Sequence, residues 1–262
     1  MLALAYGICN QSAVPCRAEA SDKAEMTTQL LFGEHFKVLK KQGHWHYIRN
    51  AFDDYESWID AKQYQEISEE TFEELQLQKP TVTLDFIGGL EDLTRQSILP
   101  IPIASTLPYF DGKVCNLEGF EYEFEGQTNT IMHGSLSDSL ITNAYAYLNA
   151  PYLWGGRNPL GIDCSGFTQN SFKTIGIKLP RDAYQQAELG DQVAFITEAR
   201  AGDLAFFDNE EGRIIHVGIV LDKQLIIHAS GKVRIDKIDH QGIFNVDTQK
   251  YSHNLRLIKR FI

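Results

Sequence analysis

The stretch GIDCSGF, residues 161–167, joins a turn to the first residues of a helix, with a cysteine at the junction. Gly161 and Asp163 are typical turn residues, and an apolar helical stripe follows and stops at Gly176. At the start of a helix, unpaired backbone N–H groups and the helix dipole favour a negative charge. The stretch therefore predicts a helix that begins near Cys164, with the sulfur placed as a nucleophile beside N–H groups that can receive an oxyanion.

Two histidines can supply the other groups that a cysteine nucleophile needs. An imidazole must take the thiol proton and return it to the leaving amine, and a third polar group must orient that imidazole. His216 opens one strand-like run and His228 ends the next, so these two residues can supply the two roles. A three-residue loop at 221–223 would pair the two histidines on one face, whereas a two-residue turn at 222–223 would turn them apart.

Six sequence blocks surround these residues: APYLWGG at 150–156, GIDCSGF at 161–167, LPRD at 179–182, GDL at 202–204, HVGI at 216–219 and IHAS at 227–230. In these blocks and in their order, the sequence resembles the NlpC-type cysteine peptidases of bacterial cell walls. The resemblance covers residues 134–262 and implies a papain-like peptidase domain. In that domain Cys164 would attack the amide carbonyl, His216 would be the general base and acid, and His228 would orient His216. The resemblance also implies that Tyr152 lies beside the oxyanion site and that the substrate pocket is lined by Trp154, Asp163, Ser165 and Asp182. No cofactor follows from this mechanism.

The first half of the chain has a different pattern, in which short apolar alternations such as 36–39 and 45–49 are broken by turn residues. This pattern predicts small β modules, and we place SH3-like barrels at 1–68 and 80–130, with a short acidic helix or linker at 69–77 between them. The expected fold class is therefore α+β, with one or two SH3-like β-barrels ahead of the peptidase domain.

SH3-like modules before such a domain resemble the γ-D-glutamyl-L-diamino-acid endopeptidases, also called dipeptidyl-peptidase VI. That resemblance implies cleavage of murein tripeptides or tetrapeptides that have a free amino-terminal L-Ala, with release of L-Ala-D-Glu. It also implies that the first module closes one end of the groove, with Glu25 and Tyr55 binding the free amine. A solvated loop acid at Glu25 and an aromatic side chain packed on Trp58 at Tyr55 are the structural alternatives.

Composition limits the other classes of function. Acidic residues outnumber basic ones 35 to 24, which gives a formal charge of -11 and argues against binding to nucleic acid or to anionic membranes. The first residues have no basic region, and no stretch reaches the roughly 20 apolar residues that cross a bilayer. We expect no membrane insertion and a cytoplasmic location, or a periplasmic or extracellular one if a leader has been removed.

The remaining cysteines and a histidine pair favour structural roles. Cys9, Cys16 and Cys115 show no metal spacing and are expected to be reduced, buried side chains. His44 and His46 could share one strand face, but no third ligand with metal spacing lies nearby, so we predict no metal site. Two other functions stay open: a hydrolase or amidase of intact peptidoglycan, and a non-catalytic protein that binds wall peptides.

Overall fold

The computed structural model describes residues 3–117, 119–130, 134–222 and 224–262. The chain divides into two compact units, of which the first comprises Met1–Ile131 with Trp154–Pro159 and the second comprises Met132–Leu153 with Leu160–Ile262. Within the described ranges, no helix combines the length and the apolar character needed to cross a lipid bilayer.

The first unit begins with an antiparallel sheet of seven strands in the order β3-β2-β6-β5-β4-β1-β7. Its strands are β1 (Ala5–Ile8), β2 (Ala13–Arg17), β3 (Met26–Leu31), β4 (His35–Gln42), β5 (Trp45–Asn50), β6 (Glu56–Asp60) and β7 (Gln65–Ile67). Alternating side chains point inward, as the sequence pattern predicts, and form an apolar core that includes Cys9, Cys16, Phe36 and Ile48. Cys9 and Cys16 are buried and reduced, as expected.

Helix α1 (Glu69–Leu77) coincides with the predicted acidic helix. Ser68 caps it, because the Ser68 hydroxyl accepts a hydrogen bond from the backbone N–H of Thr71. The strands that follow are β8 (Thr81–Val82), β9 (Ile87–Asp92), β10 (Ser97–Pro102), β11 (Thr106–Leu107), β12 (Val114–Leu117) and β13 (Phe120–Glu123). They form a sheet in the order β10-β9-β13-β12 and a separate β11-β8 pair, and their core is continuous with residues of β1, β7 and α1. This continuous core explains why residues 1–131 form one compact unit.

The second unit combines helices with a closed barrel. Its helices are α2 (Leu136–Tyr145), α3 (Cys164–Thr174) and α4 (Ala183–Gln186). The remaining strands of the chain are β14 (Arg157–Asn158), β15 (Gly161–Ile162), β16 (Asp191–Val193), β17 (Leu204–Asp208), β18 (Ile214–Leu221), β19 (Leu225–Ser230), β20 (Lys232–Ile238), β21 (Gly242–Asn245) and β22 (Lys250–Arg260). Each strand from β17 to β21 pairs with the next strand in the sequence, and the pairing of β22 with β17 closes a six-stranded barrel. The mixture of helices and antiparallel sheets confirms the expected α+β class.

Helix α3 is the buried helix of this unit, and it packs against β18 and β19 of the barrel. It begins at Cys164 and is followed by Gly176 with a φ of +80°, the left-handed conformation expected after a helix end. The helix bounds predicted from the sequence are therefore confirmed. Because α3 lies on β18 and β19, its first residue faces the strands that carry the two predicted histidines.

Candidate active site

The first turn of α3 is held by a buried ion pair. Asp163 caps the helix by accepting a 2.7 Å hydrogen bond from the backbone N–H of Gly166. The Arg181 guanidinium donates to both carboxylate oxygens of Asp163, at 3.0 and 2.5 Å, and to the Ser165 hydroxyl at 2.9 Å. Asp163, Ser165 and Arg181 are all buried. Hydrogen bonds thus hold both chain neighbours of Cys164, Asp163 and Ser165, in place. Arg181, in the LPRD block at 179–182, is a further candidate residue of the site, which the sequence alone did not indicate.

The Cys164 thiol is buried, and its surroundings favour the protonated form. Burial and then the Asp163 carboxylate raise the pKa of Cys164 to about 12, while the backbone N–H of Val217 and the Arg181 guanidinium act in the opposite direction. Burial therefore opposes the negative charge that the helix start favours. A nucleophilic Cys164 would have to lose its proton during the attack, which requires a base.

His216 and His228 lie together in the barrel wall, and the structure adds a third member to them. Nε2 of His216 is hydrogen-bonded to Nδ1 of His228 at 2.8 Å, and Nε2 of His228 to Oδ2 of Asp236 at 3.1 Å. All three side chains are buried. Among the described residues, no hydrogen bond joins the Cys164 thiol to the His216 ring, but the N–H of Val217, the next residue after His216, interacts with that thiol. Such contacts often tighten only when substrate binds.

The register of β18 and β19 corrects the expected pairing. The hairpin pairs Leu221 with Leu225 and Gly218 with His228, so the loop has three residues but lies one position later than expected. His216 is therefore a diagonal neighbour of His228 and not its direct partner. The two imidazoles still share a face, because His216 and Gly218 are two residues apart. A Cβ at Gly218 would lie 2.8 Å from the Cβ of His228, so the glycine makes room for this histidine.

A third histidine, His253 of β22, lies against His216, and no sequence motif pointed to it. The two rings stack, with centroids 4.1 Å apart and planes at 21°. Burial, followed by the charges of His228 and His253, holds the pKa of His216 well below its ordinary value. Burial also lowers the pKa of His228, against the effect of Asp236. The three imidazoles are therefore neutral at physiological pH, and a neutral His216 can act as a base.

Tyr152 and Asp182, the other candidates of this unit, differ in their surroundings. Burial, and then the charges of Cys164 and Asp163, raise the pKa of Tyr152, so its phenol stays a hydrogen-bond donor near the thiol. Asp182 precedes α4, and its backbone N–H donates to the Gln185 side chain at 3.1 Å. Asp182 thus has a local structural role at a helix start.

The remaining candidates belong to the first unit. Trp154 donates its indole N–H to Oε1 of Glu25 at 2.5 Å, and both side chains are exposed. No Lys or Arg side chain among the described residues pairs with this carboxylate. Tyr55 is half-buried at a turn, in which its backbone N–H donates a hydrogen bond to the Asp53 side chain. Trp58, the expected packing partner of Tyr55, has its ring centroid 5.1 Å from that of Tyr47. The structure therefore joins two of the predicted substrate contacts, Trp154 and Glu25.

The histidine pair near residue 45 is split between two environments. His44 is exposed, whereas Nδ1 of the buried His46 is hydrogen-bonded to the Tyr64 hydroxyl at 2.7 Å. In the part of the chain that the structure describes, no group of three or more His, Cys, Asp or Glu side chains could hold a metal ion.

Comparisons with known proteins show which families and relatives this chain is similar to. Residues 149–251 match the NlpC/P60 family, and residues 16–63 match the bacterial dipeptidyl-peptidase Sh3 domain. A γ-D-glutamyl-L-lysine dipeptidyl-peptidase of Bacillus subtilis is 32% identical over 213 residues, which cover 77% of this chain and 71% of that protein. Dipeptidyl-peptidase 6 of Lysinibacillus sphaericus is 26% identical and is matched over 86% of this chain and 88% of its own length.

A solved structure shows the same fold. The crystal structure of an NlpC/P60 family protein from Bacillus cereus aligns with a TM-score of 0.81 over 98% of this chain and 99% of that one, at 20% identity. The expected combination of an SH3-like barrel and a papain-like peptidase domain is confirmed by these matches. The chain belongs to the NlpC/P60 family of cysteine peptidases.

Proposed function

We propose that this protein is an endopeptidase that hydrolyses the amide bond between γ-D-Glu and the L-diamino acid of murein peptides with a free amino-terminal L-Ala. The products are L-Ala-D-Glu and the diamino acid or the peptide that it begins, and the reaction serves the recycling of cell-wall peptides. The arrangement of Cys164 at the start of α3, beside the two strands that carry His216 and His228, supports this proposal most directly. The names of the relatives in Bacillus subtilis and Lysinibacillus sphaericus agree with it.

In this proposal, the reaction proceeds through a thioester. The sulfur of Cys164 attacks the carbonyl carbon of the amide while its proton passes to Nδ1 of His216. The oxyanion is stabilised by the backbone N–H groups at the start of α3 and by the phenol of Tyr152. The C–N bond then breaks as His216 returns the proton to the leaving amine. Water, deprotonated by His216, hydrolyses the thioester and restores the thiol.

Recognition of the free amine is assigned to Glu25, with Tyr55 as a second contact. An ammonium that leaves water needs a partner, because its desolvation costs several kcal/mol. The Glu25 carboxylate meets this need, since the Trp154 indole orients one of its oxygens at 2.5 Å. Asp163, Ser165, Trp154 and Asp182 are proposed to line the pocket for the remainder of the peptide.

The decisive experiment is incubation with L-Ala-γ-D-Glu-diaminopimelate and with its L-Lys counterpart, followed by identification of the products by mass spectrometry. We expect L-Ala-D-Glu from at least one of them and none from the Cys164→Ala variant. Intact peptidoglycan is the matched comparison. Release of wall fragments without cleavage of the free tripeptides would favour the hydrolase of intact wall, and binding without cleavage would favour the non-catalytic binder.

A further inference from the structure

Asp236 of β20 is fully buried, and every polar group that contacts its carboxylate is a hydrogen-bond donor or can act as one. Oδ2 lies 3.1 Å from Nε2 of His228 and accepts from Nε of Arg234 at 2.7 Å. Oδ1 accepts from Nη2 of Arg234 at 3.0 Å and from the backbone N–H of Val246 at 2.9 Å. Burial alone would raise the pKa of Asp236, but the hydrogen bonds from His228, Arg234 and Val246 hold it well below its usual range.

An ionised Asp236 determines which nitrogens of the two histidines carry protons. A carboxylate can only accept, so Nε2 of His228 must be protonated and donate to it. His228 is neutral because burial lowers its pKa, and its Nδ1 is therefore an acceptor. Nε2 of His216, 2.8 Å away, must then be the donor. In a neutral His216 this leaves Nδ1 without a proton, and no described residue donates a hydrogen bond to it.

The sheet register explains how three side chains from three strands meet in one line. His228 pairs directly with Arg234 across β19 and β20, and Asp236 lies two residues further on the same face. On the other side, His228 pairs with Gly218, and His216 lies two residues away on the same face. Each contact is therefore a diagonal one, and the chain of hydrogen bonds crosses β18, β19 and β20 in order.

We propose that Asp236 is a positioning residue that gives this hydrogen-bond chain its direction, so that His216 presents an unprotonated Nδ1 to the Cys164 thiol. The proposal rests on the role of His216 as the base in the proposed function. Asp236 touches neither the thiol nor the substrate in this scheme and acts only through His228. Arg234 holds the carboxylate in place, since it binds both of its oxygens and also Asp247 at 2.8 Å.

Without a permanent acceptor at position 236, the chain could run in the opposite direction. His228 would then donate from Nδ1 to Nε2 of His216, and the proton of His216 would move to Nδ1, where it blocks the uptake of the thiol proton. An asparagine at position 236 would permit this reversal. In either orientation of the amide, the NH₂ group would face the Arg234 guanidinium. In one orientation it would also face the backbone N–H of Val246, and in the other it would face His228 and donate a hydrogen bond to Nε2 of that ring.

The first test reads the protons in the wild-type protein and needs no substitution at position 236. Long-range ¹H–¹⁵N correlation spectra at neutral pH distinguish the two histidine tautomers, and His216→Gln and His228→Gln variants assign the signals. We expect Nε2 to be protonated and Nδ1 to be bare in both His216 and His228. A proton on Nδ1 of either residue would overturn the proposal.

The second test compares Asp236→Asn with Asp247→Asn, because both aspartates contact Arg234 but only Asp236 contacts His228. For tripeptide hydrolysis, we expect Asp236→Asn to lower kcat by about 100-fold or more with KM within about threefold, by analogy with the reversed tautomer of a triad histidine. Asp247→Asn should stay near the wild type. Equal losses in both variants, or a loss for Asp236→Asn without a change of tautomer, would reduce Asp236 to a structural role.

The two proposals fail in different ways. Alkylation of Cys164 by iodoacetamide needs a base but no peptide, so it reports on His216 even if the substrate has been assigned wrongly. If the tripeptides are not cleaved but the tautomers are as stated and Asp236→Asn slows alkylation, only the substrate assignment is wrong. If the tripeptides are cleaved but the tautomers are reversed, the proposed peptidase function is supported and the proposed role of Asp236 is wrong.

Discussion

The imidazole of His253 stacks on that of His216, with ring centroids 4.1 Å apart and planes at 21°. Nδ1 of His253 is hydrogen-bonded to the Ser252 hydroxyl at 2.8 Å, which helps to fix the ring. Burial, and then the charge of His228, lower the pKa of His253 to about 4, so it is neutral at physiological pH. A neutral ring parallel to the base limits the rotation of His216 without adding a charge beside it.

This stack predicts a graded response to substitution. Aromatic pairs contribute about 0.5–1.5 kcal/mol beyond their buried area, which corresponds to a change of about two- to tenfold in the population of the held orientation. We expect His253→Ala to lower kcat by up to that factor, and His253→Phe to retain most of the activity because it keeps a flat ring. Steady-state kinetics would check this. Equal activity of His253→Ala and wild type would show that the stack has no role in catalysis.

The buried histidines also predict how stability depends on pH. A histidine whose pKa is lower in the folded protein than its unfolded value binds protons more readily when unfolded, so stability falls as the pH falls through that window. For His253 the window runs from 6.5 down to about 4. Each such histidine contributes at most about 1.4 kcal/mol per pH unit. Urea unfolding at pH 7 and pH 5 should show this loss, and His253→Phe should reduce it; an unchanged slope in that variant would contradict the assignment.

The neutral thiol of Cys164 predicts that the pH dependence of alkylation changes when His216 is replaced. Because the pKa of Cys164 is raised to about 12, its alkylation by iodoacetamide depends on transfer of the thiol proton to the neutral His216, and the wild-type rate should vary little between pH 6 and 8. The His216→Gln variant has to react through the free thiolate, so its rate should be lower and should rise about tenfold per pH unit. Labelling should be confined to Cys164, since Cys9, Cys16 and Cys115 are 0% exposed. The Cys164→Ala variant is the control. A wild-type rate that also rises about tenfold per pH unit would show that His216 does not take the thiol proton.

Substitutions of the catalytic candidates should differ in severity. Cys164→Ala should abolish turnover and leave the fold intact, because it removes only the attacking atom. His216→Ala should be nearly as damaging, and His228→Ala milder, because the base stays in place. Mass spectrometry of tripeptide digests and circular dichroism would measure activity and folding. Retained turnover in Cys164→Ala would rule out the proposed mechanism.

Recognition of the free amine predicts a difference between a tripeptide and its N-acetylated form. The wild type should cleave the free peptide preferentially, and Glu25→Gln should lose much of that preference because it removes the negative charge. Trp154→Phe keeps a ring but removes the donor that orients Glu25 at 2.5 Å, so a smaller loss is expected. If the wild type cleaves both peptides equally well, the amine is not recognised.

A buried ion pair predicts a position in the first unit at which loss of a charge destabilises the fold. Arg157 and Glu34 are bonded at 2.9 Å, with side chains 0% and 2% exposed, and this pair holds the Trp154–Pro159 segment in the first unit. Glu34→Gln leaves a buried guanidinium without its counter-charge and should destabilise the fold by about 3–5 kcal/mol. Glu66→Gln, in an exposed pair with Lys41, should cost less than about 1 kcal/mol. Comparable losses in chemical denaturation would contradict this contrast.

Local signals were sufficient for several elements of this protein. The turn, the cap at Asp163 and the glycine stop at Gly176 mark the bounds of α3, because each depends on residues within one helical turn. The motif blocks of the second half likewise predicted the family, which the match over residues 149–251 confirms, and they made Cys164, His216 and His228 the candidates for the site. The alternating apolar residues predicted β4, β5 and β6, because this alternation is a local property of a strand with one buried face.

Other features depended on contacts between residues that are far apart in the chain. Sequence spacing allowed more than one register for β18 and β19, and the pairing of Gly218 with His228 was decided by packing across the barrel. Asp236 and His253 belong to no motif, and they reach the histidines only because β20 and β22 occupy particular places in a closed sheet. The sequence alone therefore determined the fold class, the family and the candidates for the site. Tertiary structure decided which partners set their protonation, because hydrogen bonds and desolvation depend on neighbours that only the folded chain brings together.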